Sequence, residues 1–114
     1  MMVLAERFED LKDSAQVTNW RGRSGRFYAL APVPLASFSL AGSSLYLLAA
    51  EDRVLWVGTA ADLVADSASR QRFRAALRLG EAAFSITAPA DDVARMTMAW
   101  DLEAAVPVKG LRLT

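Results

Sequence analysis

The stretch from residue 44 to residue 50 (SLYLLAA) constrains the fold more than any other part of the chain. Successive side chains of a strand point to opposite faces, so Leu45 and Leu47 share one face. Tyr46 and Leu48 share the other. A strand that is apolar on both faces is normally covered on both sides. The sequence therefore predicts a sheet that is packed between two layers, with this strand near its centre.

A second apolar stretch follows at once. Val54 to Gly58 is separated from the first stretch only by Glu51, Asp52 and Arg53, which suit a tight connection. Two short apolar runs joined in this way are typical of a β-hairpin. We therefore expect a hairpin over residues 44–58 at the centre of the sheet.

The rest of the chain alternates between strand and helix signals. The predicted elements are a helix over 3–16, a turn-rich loop over 18–25, a strand over 26–31 that Pro32 and Pro34 end, a short turn over 60–65, a helix over 67–79 that stops at Gly80, a strand over 82–87, a helix that opens after Pro89 and ends before Pro107, and an edge strand over 110–114. This order predicts an α+β fold in which helices flank a small central sheet. The length of 114 residues is that of a single domain.

Apolar spacing also predicts which helix faces point inward. For the helix over 67–79 the inward residues are Phe73, Ala76 and Leu77. For the last helix the inward stripe is Val93, Met96, Trp100 and Ala104. The helix over 3–16 has a stripe that would pack on the domain or form a dimer contact, made of Leu4, Phe8, Leu11 and Ala15.

Composition excludes several classes of site. The chain has no cysteine and no histidine, which excludes disulfides, thiolate metal sites, cysteine nucleophiles and the Ser-His-Asp triad. Its 13 basic and 13 acidic residues give no net charge, so a global basic field is absent. Eleven of the basic residues are arginine, a bias typical of GC-rich bacterial genomes.

The uncharged stretch over residues 27–50 is long enough to cross a membrane. It contains Pro32, Pro34 and Gly42, however, and these residues favour two strands joined by a loop. The first residues are charged and lack the apolar core of a signal peptide. We therefore expect a cytoplasmic protein without a membrane partner.

The hairpin resembles the opening of the GIY-YIG nuclease fold. That family begins with a strand carrying Gly-Ile-Tyr, which leads through a short hairpin to a strand ending in Tyr-Ile-Gly or Tyr-Val-Gly. The first motif position here holds Ser44-Leu45-Tyr46, and the second holds Trp56-Val57-Gly58. The residues that follow also fit the family's pattern, namely Thr59, Asp62 and Leu63.

The predicted order of elements from residue 44 onward, ββ-α-β-α, matches the family as well. The resemblance implies a GIY-YIG-like core over residues 44–107, to which residues 1–43 add an N-terminal helix and strand.

Catalysis in this family requires a tyrosine, an arginine and a glutamate that holds a divalent metal. These groups supply a nucleophile or base, a cation for the developing phosphate charge, and a metal ligand. Tyr46 is present, but Trp56 replaces the second tyrosine, and an indole cannot act as a phenolic base. The position of the arginine holds Ala65 and Asp66, and that of the glutamate falls near Met98.

Substitutes for the missing groups lie further along the chain. Arg70 or Arg72 could replace the arginine, and Asp101 or Glu103 could supply a displaced carboxylate for Mg²⁺. The resemblance therefore implies a recognisable scaffold, marked by Trp56, Gly58 and Asp62, whose catalytic set is mostly missing.

Four arginines of the helix over 67–79 are candidate nucleic-acid contacts. Arg70, Arg74 and Arg78 recur every four residues and form one stripe, with Arg72 to its side. Such a stripe can bind phosphate, and it is also typical of a solvated helix end, where cations are favoured.

Three functions remain open from the sequence. The first is a non-catalytic binding module on a GIY-YIG-like scaffold, with nucleic acid or a protein as partner and no cofactor. The second is a Mg²⁺-dependent DNA endonuclease that uses Tyr46 and Arg70 or Arg72. The third is a self-associating protein of another α+β fold, for example a homodimer.

Overall fold

The computed structural model of the chain describes residues 17–36, 40 and 42–108. The elements in these ranges are β1 (Thr18–Arg21), β2 (Phe27–Val33), β3 (Ser44–Ala50), β4 (Arg53–Gly58), α1 (Ala60–Ala65), α2 (Ser67–Leu79), β5 (Ala82–Thr87), α3 (Asp92–Glu103) and β6 (Val106–Pro107). The predicted α+β class is confirmed. The predicted helix over 3–16 and strand over 110–114 lie outside the described residues.

The six strands form one antiparallel sheet in the order β4-β3-β5-β2-β1-β6. Strand β3 is interior, since Tyr46 lies opposite Gly58 on one side and Ser85 on the other. The prediction that the hairpin forms the centre of the sheet is wrong for β4, which is an edge strand. The reason is that β5 pairs with the free side of β3, so every further strand extends the sheet away from β4.

Helices cover both faces of β3, as the two-sided apolar pattern predicts. Leu45 and Leu47 belong to a cluster that includes Leu102 of α3. Tyr46 and Leu48 belong to a second cluster, which includes Ala76 of α2 and is joined by Phe73. Leu77, which was expected to face inward with Ala76, lies at the exposed flank of α2. The sheet is therefore the middle of three layers.

Two expectations for the N-terminal part of the sheet are wrong. The loop expected over 18–25 is shorter, because Trp20 is buried and β1 pairs with β2 through it. Only the residues after Arg21 turn, and the Gly22 amide donates to the Arg26 carbonyl at 2.8 Å. Pro32 does not end β2 but lies opposite Phe84 of β5. It is tolerated because the pairing with β1 stops earlier, so β2 has one neighbouring strand at this point.

Helix α1 occupies the residues that were expected to form only a short turn, whereas the other helices begin and end close to the predicted residues. Thr59 and Asp62 form a capping box at α1, and the Asp66 carboxylate accepts a hydrogen bond from the Ala68 amide at the start of α2. Helix α2 ends at Gly80, as expected. Helix α3 stops at Glu103, earlier than predicted, and the chain then forms β6 beside β1. No helix within the described ranges is long and apolar enough to span a membrane.

Candidate interaction surfaces

Three candidate groups of a GIY-YIG-like active site, Tyr46, Arg70 and Asp101, are not brought together. Tyr46 is buried on the α2 side of the sheet, whereas Asp101 is buried in the layer on the other side. The Arg70 guanidinium donates hydrogen bonds to the carbonyls of Leu63 at 2.8 Å and Val64 at 3.2 Å, which ties α2 to α1. The described residues contain no group of three acidic side chains that could hold a metal ion.

The motif positions have packing roles. Trp56 is 4% exposed, its indole N–H donates to the Ser69 hydroxyl at 3.2 Å, and its ring meets Phe73 edge-on at 4.8 Å. Gly58 faces this ring so closely that a Cβ would lie 2.5 Å from Trp56 Cζ2. The Asp62 carboxylate accepts a hydrogen bond from the Thr59 amide at 2.9 Å. Together these residues fix the hairpin to α1 and α2.

The four candidate arginines do not form one patch. Arg70 is bound to backbone carbonyls, as described above. At 100° per residue, Arg72 lies on the opposite flank of α2 from Arg70, so Arg74 and Arg78 are the two that share the outer face. Arg72, Arg74 and Arg78 are exposed and form no ion pair with any described residue. Arg72 lines a groove beside β4 together with Glu103 of α3.

The outward face of α3 is apolar. Val93, Met96 and Trp100 are 70%, 65% and 51% exposed, and with Thr97 they line a shallow groove of about 270 Å³. The prediction that Val93, Met96, Trp100 and Ala104 face inward is therefore wrong. The inward side instead carries Met98, Ala99, Asp101 and Leu102.

A buried carboxylate determines this orientation of α3. Asp101 is 3% exposed and accepts hydrogen bonds from the Ser24 amide at 2.6 Å, the Ser24 hydroxyl at 2.7 Å and the Tyr28 hydroxyl at 2.7 Å. If Asp101 pointed to solvent, these donors would lose their acceptor. A Cβ on Gly22 would lie 2.6 Å from the carboxylate, so a glycine there lets the turn approach it.

The same contacts shift two pKa values. Burial would raise the pKa of Asp101, but hydrogen bonds from Tyr28 and Ser24 and the charge of Arg26 lower it overall. Burial raises the pKa of Tyr28, and the hydrogen bond to Asp101 raises it further. The pair therefore favours an ionised carboxylate and a neutral phenol, which is a stable structural state and not one poised for proton transfer near neutral pH.

The turn before β2 also fixes the position of Trp100. The Arg23 guanidinium carbon lies 4.3 Å from the centre of the Trp100 ring, and Arg23 Nη2 donates to the Trp100 carbonyl at 3.3 Å. The Arg23 amide donates to the Asp101 carbonyl at 3.0 Å. An exposed aromatic ring is thus held in place with a cation against it.

Sequence reasoning did not identify Ser24, Tyr28 or Arg23 as partners of α3. These contacts join residues more than 70 positions apart, and no local pattern connects the turn with the helix.

Comparison with protein-family models found no match, and neither did searches of curated proteins and of solved structures.

Proposed function

We propose that the chain is a non-catalytic interaction module on a GIY-YIG-like scaffold, and that it self-associates through the outward face of α3. The observation that carries this proposal is the exposure of Val93, Met96 and Trp100 on one helix face. Large apolar side chains grouped on a surface are typical of a protein contact. Trp and Arg are enriched at the centres of such contacts, and Trp100 here has Arg23 against it.

The scaffold part of the proposal rests on element order and on the motif positions. From β3 onward the chain runs strand, strand, helix, helix, strand, helix, which is the order ββ-α-β-α of the resemblance with the short helix α1 added. The absence of catalysis is inferred from Tyr46 and Asp101, which lie in different layers, and from Arg70, whose guanidinium is bound to backbone carbonyls.

A second copy fits the α3 face because the face is complementary to itself. If two α3 helices pack antiparallel about a two-fold axis beside Met96 and Thr97, Val93 of each copy meets Trp100 of the other. The Arg23 that lies against Trp100 then approaches the first turn of the opposite helix, where Asp91 and Asp92 are exposed. The opposed helix dipoles add to this attraction.

The contact is small, so we expect a weak dimer. Helix α3 has 12 residues, and its outward face offers much less than the roughly 800 Å² per partner of a standard interface. We therefore expect a dissociation constant in the micromolar range. A reversible dimer of this kind would respond to local concentration in the cell.

Sedimentation velocity over a range of micromolar concentrations tests the proposal. The wild-type chain should show a concentration-dependent shift from monomer to dimer, and Met96→Lys should weaken the dimer at least tenfold because it places like charges at the two-fold axis. Leu79→Lys is the matched control, since Leu79 of α2 is also 65% exposed. A wild-type chain that stays monomeric up to millimolar concentration, or equal effects of the two substitutions, would contradict the proposal.

Nucleic-acid binding is a second candidate, favoured by the arginines of α2. The sequence of this helix, SASRQRFRAALRL, contains no acidic residue. Arg74 and Arg78 share its outer face, where they could contact two phosphates along one strand. In fluorescence anisotropy with labelled duplex DNA, the slope of log affinity against log salt should fall by about 1.8 in the Arg74→Gln, Arg78→Gln double variant. An unchanged slope would exclude this helix as the contact.

A further inference from the structure

We infer that the free edge of β4 binds an extended peptide by strand addition, and that Arg72 and Glu103 select adjacent acidic and basic side chains in that peptide. This surface is separate from the α3 face of the proposed function. It combines a strand whose outer edge pairs with no described strand, a groove along that strand and two charges without an ion-pair partner among the described residues.

The strand is available for pairing. Strand β4 is the last in the sheet order and pairs with β3 alone among the strands of the described ranges. An edge strand presents unpaired N–H and C=O groups, which extended peptides use to add a strand. The groove beside it has a volume of about 270 Å³ and is lined by Val54, Leu55, Trp56 and Val57.

Two opposite charges border this groove. Arg72 comes from α2 and Glu103 from α3, and these helices cover opposite faces of the sheet. Both side chains are exposed, and neither forms an ion pair within the part of the chain that the structure describes. A strand added to β4 would therefore have a cation on one side and an anion on the other.

Because side chains alternate along a strand, the charges of Arg72 and Glu103 favour a particular order of charges in the bound peptide. Successive side chains of an extended peptide point to opposite faces. If one side chain of a bound peptide points to Arg72, the next points to Glu103. The complementary peptide therefore carries an acidic residue directly beside a basic one. Two charges separated by one residue would both point to the same face, where one of them meets a like charge.

A second copy of the chain fits this edge less well than a peptide. Antiparallel pairing of two β4 edges about a two-fold axis places the same face of both sheets on the same side. Arg72 would then face Arg72 of the second copy, and Glu103 would face Glu103.

The test is an NMR titration of the ¹⁵N-labelled full-length chain with two peptides of equal composition. The first is acetyl-Thr-Val-Glu-Lys-Val-Thr-amide, with adjacent charges. The second is acetyl-Thr-Glu-Val-Lys-Val-Thr-amide, with the charges one residue apart. We expect the first peptide to shift the amide signals of residues 53–57, and the second to bind at least tenfold more weakly. Arg72→Gln and Glu103→Gln should each weaken the first peptide at least threefold.

Two controls separate strand addition from other modes of binding. Alternate amides of an added strand point to β4, so only one of the neighbouring Glu and Lys amides of the peptide donates a hydrogen bond to it. N-methylation of that amide should abolish binding. N-methylation of the other amide should not. The Gln71→Ala variant should bind the first peptide unchanged, because Gln71 is exposed on α2 and does not line the groove. The inference would be overturned if millimolar peptide did not shift the β4 amide signals, or if the two peptides bound with equal affinity. It would also be overturned if the two N-methylated peptides bound with equal affinity.

Discussion

Replacing Gly58 with alanine is expected to lower the free energy of unfolding by about 3 kcal/mol. The new methyl group would lie 2.5 Å from Cζ2 and 2.8 Å from Cη2 of the Trp56 ring. The ring cannot move away freely, because it is buried, hydrogen-bonded to Ser69 and packed edge-on against Phe73. Urea denaturation followed by circular dichroism would measure the loss.

The Trp56→Phe variant supplies the control for this prediction. Phenylalanine lacks the two atoms that the new methyl group would meet, so Gly58→Ala should cost much less in that background. A double-mutant cycle gives the coupling between the two sites. If Gly58→Ala is equally destabilising with and without the indole, the close approach of Gly58 to Trp56 is not the reason for a glycine at this motif position.

Replacing Asp101 with alanine is expected to destabilise the fold by about 3 kcal/mol, or roughly 10–20 °C in Tm. The change removes the acceptor of three hydrogen bonds, among them that of the buried Tyr28 hydroxyl. Ser24→Ala is the milder control, because it removes one hydroxyl and keeps the Ser24 amide contact. If Asp101→Ala lowers the free energy of unfolding no more than Ser24→Ala does, the role assigned to the carboxylate is contradicted.

The pH dependence of stability provides a second readout of the Asp101 contacts. Because the pKa of Asp101 is lowered in the folded state, its contribution is present above the unfolded pKa of about 3.9 and is lost as pH falls through the folded value. The pKa of Tyr28 is raised, so its contribution is present below about pH 10 and is lost as pH rises through the folded value. Asp101→Asn should flatten the acid limb of the stability profile, and Tyr28→Phe should flatten the alkaline limb.

Local signals predict most of the elements. The hairpin depends on two apolar runs and a short connection, which has two residues in the structure, and the start of α2 depends on an Asp66 side chain that can cap it. These features act within a few residues of each other, so the sequence carries them directly. The two-sided cover of β3 follows for the same reason, because a strand without a polar face has to be buried on both sides.

Long-range packing was not predictable in the same way. Helix α3 has apolar residues around most of its circumference, so its periodicity allows more than one inward face. The choice is made by Asp101, whose partners Ser24 and Tyr28 lie in a distant turn and strand. A carboxylate is an unexpected residue on the inward side, and the sequence does not show that three donors await it. The expected inward stripe consequently became the outward face.

The motif residues could be found in the sequence, whereas the interaction surfaces could not. The resemblance to the GIY-YIG family marks Trp56, Gly58 and Asp62, and these residues connect the hairpin to the helices that follow. The surfaces that support the proposals, the α3 face and the β4 edge, depend on which strand is outermost and which helix face is exposed. Both are properties of the assembled sheet and not of any one segment.

Cross-linking of a single introduced cysteine tests the central claim, self-association through α3, most directly. The chain has no cysteine of its own, so Thr97→Cys introduces the sole thiol beside the expected two-fold axis. Under mild oxidation this variant should form a disulfide-linked dimer in high yield, whereas Gln71→Cys on the outer face of α2 should remain monomeric. Equal cross-linking of the two variants, or none at Thr97→Cys at concentrations where the chain sediments as a dimer, would contradict the account.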